Sequence, residues 1–351
     1  MPDIPHDLTL EDIARMAGVS PATASRVINN RVGLRSKARE RVLEVVAETG
    51  FQPHAAARSL ASQRSYVMGL LIPAPASTIL THPNVLQLAE VITQACQEHE
   101  YLLSLFLMGS DADERRILPK ITRKGFIDGL IVRGADDRSS DPLLATLSAT
   151  GMPLVSLGRP TDLPHVSYVA ADNMTAAYHA VAHLLNLGRR RIGLLVGSLE
   201  PYASQERLAG YRKGLAERGL PVDEQFIAVG GMSESSGAAQ RLLQQRPDAL
   251  FMPTRMAPDV LSVLHAARLR VPDDIALVGF DDLPLAQQTD PPLTTVRQPM
   301  AAMGKQLVGM LLDIVAHGAH PPRHVVFAQE LVIRQSCGAL SLDDRWRTAA
   351  G

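Results

Sequence analysis

The chain has 351 residues, 46% hydrophobic and 20% charged, with 35 Lys and Arg against 36 Asp and Glu for a formal net charge of -1. This balance excludes a polyelectrolyte or disordered chain, no run of about eighteen apolar residues offers a membrane span, and the length suits about two to three domains. Cys96 and Cys337 are the only cysteines, far apart and without ligand-like neighbours, so neither a disulfide framework nor a zinc site is implied.

Thr9, followed three residues later by Asp12, is a capping pair with Asp in place of the usual Glu or Gln. It predicts a helix whose Leu10, Ile13, Ala14 and Ala17 share one face. Gly18 ends that helix, because glycine takes positive φ just past a helix end, and Ser20-Pro21 supplies an N-cap and a first-turn proline for the next. Two short helices around so tight a turn have helix-turn-helix spacing. On the second, Ala24, Val27 and Ile28 can pack against the first, leaving Pro21, Ala22, Thr23, Ser25, Arg26 and Asn29 outward. Small and hydrogen-bonding residues with one arginine can enter the major groove, where Arg pairs bidentately with guanine. An αα-hairpin that only packs is the alternative.

Residues 26 to 41 carry Arg26, Arg31, Arg35, Lys37, Arg39 and Arg41 against Glu40 alone, which gathers positive charge where phosphates would lie; a solvated helix face is the alternative. A third helix, capped by Ser36 and running through Ala38, Val42, Val45 and Val46, closes a small three-helix core. Residues 54 to 60, His-Ala-Ala-Ala-Arg-Ser-Leu, have helix propensity but too little length to form a stable helix alone.

From Tyr66 onward short apolar runs alternate with amphipathic stretches. Tyr66 to Ile72, Tyr101 to Met108, Gly129 to Arg133, Pro153 to Leu157, Arg191 to Gly197, Ala249 to Met252 and Ile275 to Phe280 read as buried strands. Residues 84 to 99, 111 to 123, 173 to 187, 204 to 218, 234 to 245 and 256 to 268 read as helices. Such alternation predicts an α/β core of parallel sheets covered on both faces, with ligands at the carboxyl ends of the strands.

From Thr9 to about Arg334 the chain resembles the LacI/GalR family of bacterial transcriptional regulators. The most specific stretches are residues 18 to 29, GVSPATASRVIN, and 50 to 60, GFQPHAAARSL. The resemblance implies an all-α helix-turn-helix DNA-binding head over 1–53, a hinge helix and linker over 54–65, an α/β core of two periplasmic-binding-protein-like subdomains over 66–338, and a tail over 339–351. The subdomains are expected as 66–162 with 293–325 and 163–292 with 326–338, with crossovers near Leu163, Leu293 and Val326. Pro21, Ala22 and Arg26 are implied as base-reading residues, with Thr9, Leu10, Ser20, Thr23, Ser25 and Asn29 nearer the DNA backbone. Ala57 and Leu60 match the hinge helix, Leu60 as the wedge that kinks a base step in the minor groove; packing of Leu60 on the larger domain is the alternative.

The resemblance also singles out Arg207, Asp281 and Asp172 as effector contacts. Arg offers a rigid fork of donors and ionised Asp only accepts, so together they can grip sugar hydroxyls or an anionic group. An ion pair within the fold is the bland alternative for the first two, and helix capping for Asp172. Tyr202 could stack on a sugar face or lie in a surface loop. Two departures stand out: Met252-Pro253-Thr254 replaces the family's common Ala-Asn-Asp, and His82-Pro83-Asn84-Val85 replaces Asn-Pro-Phe-Phe after a short insertion. An atypical effector is therefore expected, or a pocket that no longer takes one.

The expectation is a sequence-specific DNA-binding regulator, a repressor first, without a cofactor. Its partners would be a pseudo-palindromic double-stranded operator, a carbohydrate-like small-molecule effector and a second copy of the chain, because one short helix reads too little sequence. The N-terminus lacks a basic-then-apolar leader, which points to the cytoplasm and away from membranes. No leucine heptads follow Arg334, so the dimer is expected without a coiled-coil tetramer. An enzyme is the reading from another class, but no nucleophile elbow, phosphate-cradling loop or dinucleotide fingerprint is present. His179 and His183 lie four apart, yet Ala180 stands where a zinc protease needs Glu. A transport binding protein is the third class, disfavoured by the missing leader and the DNA-binding head.

Overall fold

A computed structural model describes residues 8–28, 37–51, 64–77, 83–134, 141–160, 162–199, 202–319 and 321–339. The chain forms two compact units, 1–65 and 66–351. The first contains α1 (Leu10–Met16), α2 (Pro21–Ile28) and α3 (Lys37–Thr49). Ile13, Ala14 and Ala17 from α1 and its end meet Ala24 and Val27 of α2, Val42 of α3 and Phe51 in one buried cluster. Such a core is small, so the helix ends matter. Gly18 turns the chain at φ +64°, and Ser20 caps α2 by accepting from Thr23 N at 3.2 Å.

The second unit holds two six-stranded sheets. The first comprises β1 (Val67–Ile72), β2 (Leu102–Leu107), β3 (Gly129–Arg133), β4 (Leu154–Leu157), β5 (Tyr168–Ala171) and β11 (His324–Phe327), in the order β11-β5-β4-β3-β1-β2 and parallel throughout. The second comprises β6 (Ile192–Val196), β7 (Ile227–Val229), β8 (Ala249–Pro253), β9 (Ala276–Phe280), β10 (Thr294–Arg297) and β12 (Glu330–Val332), in the order β12-β10-β9-β8-β6-β7. Here only β12 runs antiparallel to its neighbour. Strands such as Ile-Gly-Leu-Leu-Val in β6 are apolar at consecutive positions because helices cover both faces of the sheet.

On the first sheet, α4 (Pro83–Gln97) and α12 (Met300–His317) cover one face. The other is covered by α5 (Asp111–Ile121) and α6 (Asp141–Ala149). On the second sheet, α7 (Asn173–Asn186) and α8 (Tyr202–Ala216) oppose α9 (Ser235–Gln244) and α10 (Ala257–Ala266), while the short α11 (Leu285–Gln288) precedes β10. Each core strand expected from the sequence forms within one residue of its limits, and each of the six expected core helices within two, while the expected hinge helix lies outside the described residues.

The crossovers lie elsewhere than expected. β5 follows Leu163 yet pairs in the first sheet, Tyr168 opposite His324, so the first crossing comes after Ala171. β10 follows Leu293 yet pairs with β9 in the second sheet, which moves the next crossing to Gln298–Pro299. β11 runs through Val326 to Phe327 within the first sheet, so the last crossing lies between Phe327 and Glu330. By sheet membership the lobes are thus about 66–171 with 300–327, and 173–297 with 330–338. In each case a short strand finishes its own sheet before the chain leaves it.

The closest helix contact positions the site described below. A Cβ on Gly210 of α8 would overlap the Met174 carbonyl of α7, and one on Gly214 would lie 2.8 Å from Val181 Cγ1. Two glycines four apart put bare backbone on one face of α8, and α7 settles against it.

Candidate functional site

In the first unit the Thr9 capping box is complete: Thr9 Oγ1 accepts from Asp12 N at 3.3 Å, and Thr9 N donates to Asp12 Oδ2 at 3.0 Å. The hydroxyl and backbone bonds from Thr9, with Arg15 nearby, hold the Asp12 carboxyl below the usual carboxylate range. Leu10 is partly buried against the head's core. Ser20 Oγ and Thr23 Oγ1 lie 2.9 Å apart at the start of α2. Pro21, Ala22 and Arg26 are exposed, Thr23 and Ser25 partly so. Arg26 forms no hydrogen bond or ion pair with any described residue. The outward face of α2 is therefore small and uncluttered, with one free guanidinium. Asn29, Ala57 and Leu60, as well as Arg31 and Arg35, lie outside the described residues.

In the second unit the structure brings Arg207 and Asp281 together. Arg207, on α8, places Nη2 3.2 Å from Asp281 Oδ1, with the two side chains 18% and 12% exposed. Its guanidinium carbon sits 3.7 Å from the centre of the Phe280 ring. Gln298, in the crossover after β10, donates from Nε2 to the same Asp281 oxygen at 2.7 Å. Asp281 has φ +91° and Asp282 φ +39°, a left-handed turn that L-residues adopt at a cost and that aims both carboxylates. Asp281 faces Arg207, whereas Asp282 is buried against Arg334 at 2.8 Å and Arg297 at 2.6 Å.

Asp172 occupies the N-cap of α7, where Oδ1 accepts from Thr175 N at 2.9 Å. Its neighbour Asn173 donates from Nδ2 to Glu206 Oε2 at 3.0 Å, which ties the first crossover to α8 one residue before Arg207. Burial raises the Glu206 carboxyl, opposed by the Asn173 bond and reinforced by Asp172, with Arg159 and Arg207 pulling it back. Tyr202 opens the described part of α8, and Arg159, just past β4 of the other lobe, lies 5.4 Å from its ring centre. The constellation is thus drawn from both lobes and two crossovers.

Asn173, Glu206 and Gln298 were absent from the expected set, although Asn173 and Glu206 each adjoin a residue that was in it. Both cysteines are free and buried. Among the described residues no three His, Cys, Asp or Glu side chains gather as a metal site, and no helix is long and apolar enough to cross a membrane.

Comparison with known proteins agrees with this architecture. Residues 9–54 match the model for bacterial regulatory proteins of the lacI family, and residues 181–337 that for a periplasmic binding protein-like domain. The chain is 32% identical over 335 residues to the HTH-type transcriptional regulator CelR of Thermobifida fusca, covering 93% of this chain and 98% of that protein. It is 30% identical over 334 residues to the HTH-type transcriptional repressor PurR of Aliivibrio salmonicida, with 93% and 98% covered. Among solved structures, a CelR–cellobiose complex superimposes with a TM-score of 0.73 at 30% identity over 94% of this chain and 100% of that one. The lac repressor dimer bound to operator and the anti-inducer ONPF shares the fold, with a TM-score of 0.77 at 24% identity over 94% and 99%. The chain belongs to the lacI family of bacterial regulatory proteins.

Proposed function

We propose that the protein is a transcriptional repressor acting on DNA in the cytoplasm, not an enzyme, and that a carbohydrate-like molecule held in the cleft controls its affinity for the operator. The observation that carries the reading is the exposed Pro21, Ala22 and Arg26, the last without a partner among the described residues, on a helix fixed by its Ser20 cap and its core. Arg26 makes the specific hydrogen bond to a base edge, and Pro21 and Ala22 read by apolar contact, as with a thymine methyl. Thr9, Leu10, Ser20, Thr23, Ser25 and Asn29 position the helix on the phosphates, while Ala57 and Leu60 act in the minor groove.

Two copies form a homodimer whose two-fold axis matches a pseudo-palindromic operator. Arg207, Asp281, Asp172 and Tyr202 contact the effector, which is bound better by one arrangement of the lobes than the other and so shifts the DNA-competent population. Cellobiose in the CelR complex makes a sugar-like ligand reasonable for this relative.

The test is selection of DNA from a random pool by the full chain. A recovered pseudo-palindrome, with affinity that falls as salt rises, is expected; recovery of DNA without sequence enrichment would end the regulator reading.

A further inference from the structure

We propose that the effector carries an anionic group, a carboxylate or a phosphate, and that Arg255 receives it. This rests on the cleft being the effector site. Arg255 follows β8 directly, in the turn Thr254–Met256. A Cβ on Gly197, the residue after β6, would lie 2.6 Å from Arg255 Nη2. β6 and β8 are adjacent and parallel, so the guanidinium lies across two neighbouring carboxyl ends, where ligands of such sheets bind. β9, which ends at Phe280 just before Asp281, is the next strand along.

Charge separates Arg255 from Arg207. Each arginine buries an Nε that has no hydrogen-bond partner, but Asp281 answers the charge of Arg207, whereas Arg255 has no acidic partner among the described residues. The preceding residues cannot supply one: Pro253 has no polar side chain, and the Thr254 hydroxyl is engaged with Thr295 Oγ1 at 3.0 Å. A buried guanidinium nitrogen without a partner is costly, and its rigid planar fork matches two oxygens of a carboxylate or phosphate. A neutral sugar hydroxyl can satisfy the nitrogen but not the charge. Gly197 is the seat for this arginine, because a methyl group there would displace it.

The test is calorimetric titration of the full chain with gluconate, glucose 6-phosphate and neutral cellobiose, in the wild type, Arg255→Gln, Gly197→Ala and Arg207→Ala. One of the anions is expected to bind, and which one distinguishes a carboxylate from a phosphate. Arg255→Gln should weaken it on the order of tenfold to a hundredfold. Gly197→Ala, which keeps the charge but moves it, should weaken it too, and it serves if Arg255→Gln does not fold. Binding of cellobiose alone, or anion affinity unmoved in both variants, overturns the inference. If cellobiose binding is also abolished by Arg207→Ala, the effector cleft itself stands. Failure of all three compounds to bind counts against both.

Discussion

Arg207 Nη2 meets Asp281 Oδ1 at 3.2 Å across the face of Phe280, and Gln298 donates to the same carboxylate oxygen from the crossover between the lobes. One acidic oxygen therefore joins a helix of one lobe to the strip of chain that leads into the other. Any ligand that competes for Asp281 acts on both attachments at once. The left-handed backbone at Asp281 keeps that oxygen in place.

Breaking this pair from either side should be costly, because each partner is mostly buried. Arg207→Ala and Asp281→Ala are each expected to lower stability by about 3 kcal/mol, and the double variant by less than their sum. Urea unfolding of the four proteins measures the coupling. Strict additivity would mean that the two residues do not interact.

The packing of α7 on α8 predicts intolerance at Gly210. Gly210→Leu would drive a side chain into the Met174 carbonyl, and a loss of about 1–3 kcal/mol is expected from overpacking. A neighbouring exposed position, Ala209, gives the control, since Ala209→Leu should leave the melting temperature nearly unchanged. Equal melting of Gly210→Leu and wild type would show that the helices have room to part.

Glu206 supplies a pH dependence of unusual sign. Its carboxyl is raised above 4.5 by burial, so the folded state binds the proton more readily than the unfolded one. The stabilising contribution is complete below 4.5 and is lost as pH rises through the elevated value. Glu206→Gln, which retains an oxygen for Asn173, should therefore be more stable than wild type at neutral pH, with the difference vanishing in acid. A stability difference that instead grows on acidification would contradict the burial argument.

In the head, Arg26→Ala should weaken binding to the selected operator by about 1–3 kcal/mol while hardly changing affinity for unrelated DNA. Anisotropy titrations on both DNAs separate the two effects. An equal loss on both would demote Arg26 to a phosphate contact. Thr9→Ala removes the cap of α1 and is expected to cost about 1 kcal/mol in head stability by circular dichroism melting.

The parts of this molecule that could be read in advance were those whose partners are close in sequence. Thr9 and Asp12, Gly18, and Ser20 with Pro21 specify their helices within a few residues, and β1, β3, β6 and β9 are apolar enough to declare both faces buried. β5, β10, β11 and β12 have three or four residues each, and the last three include polar ones. They are strands because of what they pair with, as Tyr168 does with His324. The longest helix, α12, was also unforeseen. It buries Met303, Leu307, Val308, Met310, Leu311 and Ile314, a spread too broad to stand out as a single stripe. At the site, Arg207 and Asp281 carried a family signal. Arg255 carried none, because its significance comes from Gly197, which follows a neighbouring strand, and from the lack of an acidic partner among the described residues.

The pairing of β5 with β11 has a consequence for synthesis. The edge of the first sheet formed by Tyr168–Ala171 is covered only when His324–Phe327 arrives, more than a hundred residues later. A chain that stops short of His324 therefore leaves the ribosome with an open strand edge able to recruit strands from other chains. Nonsense truncations within the last part of the core should be found in aggregates, even where every residue that reads DNA or lines the cleft has already been made.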